Sequence, residues 1–298
     1  LIIKNMNIDL LKRYENSLDD CFDYNHPEIT QNNIYSVCQY YPEKLCAFDF
    51  KKRKLENVDK IILSFISHYK LRKICVSLSG GVDSMVSVSA LKYLNDLKKI
   101  DIELCAFHLN YNNREESVIE MEMIKRYCNN IMIPLYTYSI EHIHRNDKNI
   151  TRKQYEKITR EIRFGCYNTI DMPIALGHIE DDIVENIITN LATNKHTFQL
   201  GKFQDYIKQE GAILVRPLLN IPKSAIYEYS EKYNIPYLKN TTPIWSNRGK
   251  FRNRFYNEFI EQYGEDSINN IKRVAEKLEK YGKLIEKTFV KPYVEELI

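Results

Sequence analysis

Short apolar runs alternate with longer amphipathic segments through the middle of this chain, and that alternation predicts its architecture. Runs at Lys73–Leu78, Ile102–His108, Ile133–Tyr138, Pro173–Gly177 and Ala212–Arg216 have the length and composition of strands. Segments with helical spacing lie near Ser84–Asn95, Glu115–Asn129, Thr151–Thr169, Asp181–Thr193 and Lys223–Tyr233. Strands alternating with helices of this length predict an α/β fold, a doubly wound parallel sheet covered on both faces. In such sheets ligands bind at the carboxyl ends of strands, so the informative loops follow Leu78, His108 and Gly177. Val58–Tyr69 reads as a helix entering the first strand, and Asp266 to about Phe289 as a final helix. The chain therefore divides into an N-terminal extension over 1–56, a central sheet domain over 57–242, and a basic segment with a small C-terminal helical region over 243–298.

Composition narrows the classes. The 298 residues suffice for one large or two small domains, and 44% hydrophobic with 28% charged residues excludes a disordered tail. No run approaches the roughly 18 apolar residues that cross a bilayer, so no membrane partner is expected. Leu1–Leu11 is too short and too polar for a secretory leader. Cys21, Cys38, Cys46, Cys75, Cys105, Cys128 and Cys166 form no C-x-x-C pair, which suits reduced thiols and a cytoplasmic location. Lys+Arg 43 against Asp+Glu 40 leaves a net charge of +3, so a nucleic-acid surface would have to be a local patch.

The first strand runs straight into Ser79-Gly80-Gly81-Val82-Asp83-Ser84, and a helix follows. Two glycines allow a tight turn whose N–H groups face an anion, and the helix N-terminus adds its own. Ser79 and Ser84 can donate hydroxyl hydrogen bonds to phosphate; Asp83 either approaches a phosphate-bound magnesium or caps the helix. Neither G-x-x-x-x-G-K-[ST] nor G-x-G-x-x-G is present, and an ordinary Gly-Gly turn is the plain alternative.

Ser79–Ser84 resembles the S-G-G-x-D-S signature of the PP-loop ATP pyrophosphatases, which implies an adenine nucleotide alpha hydrolase-like fold. The resemblance also implies ATP cleaved between its α- and β-phosphates. Residues 57–242 would then be the ATP-binding domain.

After the fourth strand, His178, Asp181, Asp182 and Glu185 fall at i, i+3, i+4 and i+7, with Ile179, Ile183, Val184, Ile187, Ile188 and Leu191 on the opposite face. An imidazole and three carboxylates suit magnesium coordination or proton transfer; a solvated helix face is the alternative. The pattern is similar to the H-x-x-D-D-x-x-E helix of the tRNA(Ile)-lysidine synthetase and tRNA 2-thiocytidine branch of that superfamily. Glu156, Arg160, Arg163 and Phe164 resemble its E-x-x-x-R-x-x-R-[YF] helix, although an i,i+4 Glu156–Arg160 bridge accounts for the first pair equally well. His108 and Arg114 match its H-x-x-H-x-x-R loop near ATP, with Tyr111 at the second histidine, and Arg216-Pro217-Leu218-Leu219 looks like its R-P-L-L segment. Asn240 stands where bacterial lysidine synthetases carry an aspartate, which suggests an outlying branch.

From Lys239 to Arg254 there are five Lys/Arg and no acid, with Trp245 and Phe251 interleaved. Arg248, Lys250, Arg252 and Arg254 are thus candidates for contact with an RNA backbone, for a grip on ATP phosphates, or for plain solvated surface.

The resemblance implies an ATP-dependent carbon–nitrogen ligase that adenylates an anticodon cytidine before attack by lysine. Its cofactors would be ATP and Mg2+. Its partners would be the anticodon region of tRNA and free lysine or another amine; a homodimer is also considered. Ser79–Ser84, His108, Arg114 and His178 would hold ATP, and Asp83 and Asp181 the metal. Asp181, Asp182, Arg163 and Glu156 would be catalytic, and Glu185 would attract the amine. The alternatives are a tRNA thiolation enzyme, for which Cys166 is the candidate, a small-molecule amide synthetase, and an ATP-binding module without catalysis.

Overall fold

The computed structural model describes residues 53–113, 116–141, 143–145, 150–194, 198, 200, 204–238, 247–264 and 266–296. These fall into two compact units. One lies within 1–177, 205–218 and 224–239, the other within 178–204, 219–223 and 240–298. The part of the N-terminal extension expected over 1–56 that precedes Arg53 lies outside the described residues.

The first unit opens with α1 (Asn57–Tyr69), whose start is fixed by a capping box in which the Glu56 N–H donates to Asp59 Oδ2 at 2.8 Å. Then follow β1 (Lys73–Ser77), α2 (Val82–Asp96), β2 (Glu103–Asn110), α3 (Glu116–Asn130), β3 (Leu135–Ser139), α4 (Arg152–Ile170) and β4 (Ile174–Ala175). Thr151 caps α4, its hydroxyl accepting from the Gln154 N–H while Gln154 accepts from the Thr151 N–H. In the second unit α5 spans Glu180–Ala192. The first unit resumes with β5 (Tyr206–Gln209), β6 (Ala212–Val215) and α6, which spans Lys223–Lys232.

The six strands run in the order β3-β2-β1-β4-β6-β5, all neighbours parallel except the antiparallel β5–β6 pair. From β1 the chain builds outward through β2 and β3, then returns to the other side of β1 with β4. The sheet therefore has its switch point between β1 and β4, the place where a doubly wound sheet is expected to take its ligand. Ile74, Cys75 and Val76 are fully buried in β1, as a central strand covered on both faces requires.

Each expected strand and helix is present within one to four residues of its expected bounds. The addition is β5, an antiparallel edge strand joined to β6 by Glu210 and Gly211, both at positive φ (48° and 89°). That is the geometry of a two-residue hairpin turn with left-handed residues at both positions.

In the second unit, α5 and α9 (Asp266–Ile285) share an apolar cluster of Ile183, Ile187, Leu200, Ile271, Ala275 and Leu278. Between them in sequence come α7 (Asn247–Lys250), a π-helical stretch Phe251–Phe255 and α8 (Tyr256–Tyr263); a second π stretch, Glu286–Val290, leads into α10 (Lys291–Glu296). Leu191, expected on the buried face of α5, is 56% exposed.

Candidate active site

The loop after β1 has a defined shape, and most of it comes from backbone geometry. Gly80 sits at φ 79°, a region that costs side-chain-bearing residues energy. Gly81 is the N-cap of α2 in an extended conformation, and no side chain caps the helix. The first turn of α2 thus carries amides that its own N-cap leaves to an anion.

Ser84 is nearly fully buried and does a different job from Ser79. Its hydroxyl donates to the Gly81 carbonyl at 3.0 Å and accepts from the Ser79 N–H at 3.2 Å. With its one proton directed to Gly81, Ser84 braces the loop, and the exposed Ser79 is the hydroxyl that faces outward. Val82 is buried and Asp83 half-buried.

Two neighbours hold this turn. Gly177, just beyond β4, leaves no room for a methyl group: a Cβ there would lie 2.9 Å from the Ser84 backbone nitrogen and 3.2 Å from its Cα. Loops after β1 and β4 are therefore in backbone contact at the switch point. His108, near the end of β2, is 4% exposed, and its Nδ1 lies 2.8 Å from the Leu78 carbonyl. A carbonyl only accepts, so Nδ1 carries the proton and Nε2 is left as a lone pair, with no partner among the described residues. Burial pushes the His108 pKa down, against a smaller upward pull from the Leu78 hydrogen bond, which favours the neutral ring. His108 thus ties the end of β2 to the root of the loop. Arg114 lies outside the described residues.

Arg163, on α4, is half-buried and lies within electrostatic reach of Tyr167, whose hydroxyl is 2.9 Å from Ser77 Oγ at the end of β1. Burial first of all raises the Tyr167 pKa to about 12, so the phenol stays protonated. Glu156 is on the outer surface of α4 and pairs with Arg152 at 2.8 Å. The anticipated Glu156–Arg160 bridge is not what forms: Arg160 reaches Glu210 at 2.6 Å, because the β5–β6 turn places that carboxylate beside α4. Tyr111 packs into the apolar cluster around Phe107, Tyr155 and Tyr167.

The acidic segment in the second unit is organised by its helix start. Ile179 is the N-cap of α5, so His178 precedes the helix and the four polar residues do not share one helical face. Asp182 is 4% exposed, with Oδ2 accepting from the Ile179 N–H at 3.0 Å. Asp181, half-buried, accepts from the Lys223 N–H at 3.1 Å, and burial raises its pKa against the lowering effect of that hydrogen bond. His178 and Glu185 are half-buried. Among the described residues no three His, Cys, Asp or Glu side chains cluster closely enough to hold a metal by themselves. Magnesium is commonly held by one or two carboxylates plus substrate phosphates, a requirement that Asp83 beside the α2 amides fits.

Lys250 and Arg254 are exposed, and Arg254 also pairs with Glu258 at 3.2 Å; the side chains of Arg248 and Arg252 lie outside the described set. Sequence reasoning missed the neighbouring ring ladder. Phe251 stacks on Phe255 with centroids 5.3 Å apart, Phe255 on Phe259 at 5.8 Å, and Phe259 tilts against Tyr263 at 5.0 Å. The i, i+4 spacing of these rings was the available signal. Arg216, the first residue of the R-P-L-L-like segment and just beyond β6, is a buried guanidinium whose pKa burial lowers against a smaller upward pull from Asp205.

Among the described residues, no helix is long and apolar enough to cross a membrane. A sequence model of the PP-loop domain (ATP_bind_3) matches residues 54–262. The tRNA(Ile)-lysidine synthase of Staphylococcus aureus (strain COL) is 30% identical over 168 residues, covering 56% of this chain and 38% of that protein. That of Rickettsia felis is 29% identical over 215 residues, covering 72% and 48%. The match therefore spans half or less of the length of these curated relatives. Among solved structures, the U34-tRNA thiolase NcsA from Methanococcus maripaludis, with its 4Fe–4S cluster, aligns with a TM-score of 0.60 at 17% identity, over 75% of this chain and 78% of that one. At that identity the likeness concerns the fold.

Proposed function

The chain belongs to the PP-loop domain family, and from that premise we propose that it is an ATP-dependent tRNA-modifying ligase of the lysidine-synthetase type. The observation that carries the reading is the glycine loop at the β1/β4 switch point, with uncapped α2 amides above the sheet edge. The curated relatives at about 30% identity supply the substrate class.

In this reading the α2 amides and Ser79 bind the ATP phosphates, and a cytidine carbonyl oxygen attacks the α-phosphorus. The bond to the β-phosphate breaks and pyrophosphate leaves. The amine of free lysine then attacks the activated ring carbon, the carbon–oxygen bond breaks, AMP leaves, and the amine gives up a proton. Arg163 stabilises the charge that develops on phosphate. Asp83 would hold Mg2+, whose chemistry is to neutralise phosphate charge. His178, Asp181, Asp182 and Glu185 are assigned to the acceptor half of the reaction, and Lys250, Arg254 and the Phe251–Tyr263 rings to the RNA. In this reading the reaction takes place in the cytoplasm.

Sulfur transfer is the weaker reading. Among the described residues Cys75, Cys105, Cys128 and Cys166 are buried, and burial pushes Cys128 and Cys166 up to about 12, far from a reactive thiolate; Cys21, Cys38 and Cys46 lie outside the described residues. The test is pyrophosphate release from ATP and magnesium, with tRNA and lysine each present or omitted, beside the Asp181→Ala and Cys166→Ser variants. Release that requires tRNA, with lysine incorporated into RNA and loss only in Asp181→Ala, is the expected result. Loss on Cys166→Ser would move the reading to thiolation; ATP binding without release under any condition would overturn it.

A further inference from the structure

We infer that Leu238 is a positioning residue for the phosphate loop: its backbone N–H and side chain together set which way the Gly80–Gly81 peptide faces. The inference rests on the ATP-binding reading of that loop.

Leu238 follows α6, 158 positions after Gly80 in sequence, and is 3% exposed. Its N–H donates to the Gly80 carbonyl at 2.9 Å. Its side chain packs against Gly80, since a Cβ there would lie 2.7 Å from Leu238 Cδ1. A planar trans peptide points its C=O and the following N–H in opposite directions. Holding the Gly80 carbonyl toward Leu238 therefore turns the Gly81 N–H the other way, where it donates to the exposed Ser79 hydroxyl oxygen at 3.3 Å and the two groups form one outward-facing edge.

The alternative orientation is accessible to a Gly-Gly peptide, because neither residue has a side chain to resist a flip. A flipped peptide would aim the Gly80 carbonyl oxygen at the anion and withdraw the Gly81 donor. That exchanges attraction for repulsion at the loop's centre. Within the loop itself, the Ser84 hydroxyl bonds to the Gly81 carbonyl and to Ser79, not to the Gly80 carbonyl. Leu238 is the group that holds it.

α6 is itself anchored. Tyr229 donates to the buried Asp59 at 2.6 Å, and Arg53 pairs with Asp59 at 2.8 Å while lying 4.0 Å from the Tyr233 ring centroid. The Ile235 N–H continues the chain out of α6 by donating to the Ser230 carbonyl at 2.8 Å. The pin on Gly80 is thus fastened at its far end.

The test compares wild type, Leu238→Pro, which deletes the amide, and Leu238→Ala, which keeps the amide and deletes the side chain. ATP and inorganic pyrophosphate binding are measured by calorimetry, and the Gly81 amide resonance is followed during the pyrophosphate titration. Wild type should bind both ligands with a Gly81 shift. Leu238→Pro should bind both about tenfold more weakly, the scale of one lost hydrogen bond, with the Gly81 shift abolished. Leu238→Ala should bind both several-fold more weakly, and it carries the comparison if the proline variant does not fold. A role in stability alone would lower the melting temperature and leave the ligand-induced Gly81 shift intact in the folded protein. Wild-type binding matched by folded variants, or binding without a Gly81 shift, overturns the inference and leaves the proposed function standing. Wild type that binds neither ligand overturns both.

Discussion

A methyl group added at Gly177 would collide with the start of α2, just after the glycine loop, and the consequences can be sized from the structure. The new Cβ would lie 2.9 Å from the Ser84 nitrogen, 3.2 Å from its Cα and 3.3 Å from the Asp83 carbonyl carbon. All three are backbone atoms, so no rotamer change relieves the contact. Reaching ordinary van der Waals separation requires a displacement of about 0.5 Å between the β4 loop and the first turn of α2, in a region packed to interior density. Overpacking of this kind costs about 1–3 kcal/mol. A domain of this size loses roughly 2–4 °C of melting temperature per kcal/mol, so Gly177→Ala should melt about 2–12 °C below wild type. Because the displaced atoms include the candidate phosphate amides, pyrophosphate release should fall by about tenfold or more. Gly165→Ala is the matched control. Gly165 lies inside α4 with no neighbouring group within 4 Å of where the methyl would sit, so the substitution should add about 0.5–1 kcal/mol of helix propensity and leave activity unchanged. Paired urea titrations and pyrophosphate assays decide the matter. A Gly177→Ala protein with wild-type stability and activity would refute the claim that the two loops are in rigid backbone contact.

Two further outcomes are expected. Burial depresses the His108 pKa, so this residue's contribution to stability is fully present above the ordinary histidine value and is lost as pH falls through that value toward the lowered folded one. Urea titrations across that window should show a decline that is smaller in His108→Gln; equal declines would contradict the neutral assignment. Arg53→Ala removes the charge partner of the fully buried Asp59 carboxylate and should cost about 3–5 kcal/mol, with part recovered in the Arg53→Ala/Asp59→Asn double variant; a loss under 1 kcal/mol would show that the Tyr229 hydroxyl and the Glu56 N–H suffice to hold the carboxylate.

Much of the candidate site could be read from short stretches of chain. The glycine loop announces itself because a strand, a tight turn and a helix start are all local patterns, and Thr151 with Gln154 marks the start of α4 for the same reason. Elsewhere local pattern misled or was silent. Asp182 falls on the polar stripe by spacing, yet its carboxylate folds back on the Ile179 N–H, since the helix begins two residues after His178. β5 escaped notice because four residues on a sheet edge carry little alternation, and Glu210-Gly211 is not the usual Asn-Gly turn.

The sequence by itself determined the α/β alternation and the position of the glycine loop between β1 and α2, because hydrophobic period and glycine placement act over a few residues. Only the tertiary structure decided which partners those residues take. Arg160 turns to Glu210, fifty residues away, in place of its helical neighbour Glu156. Gly80 is favoured by its own positive φ, and the distant Leu238 packs its Cδ1 2.7 Å from where a Cβ would sit. Such choices depend on which surfaces the folded sheet brings together, and contacts between distant segments leave no period in the chain.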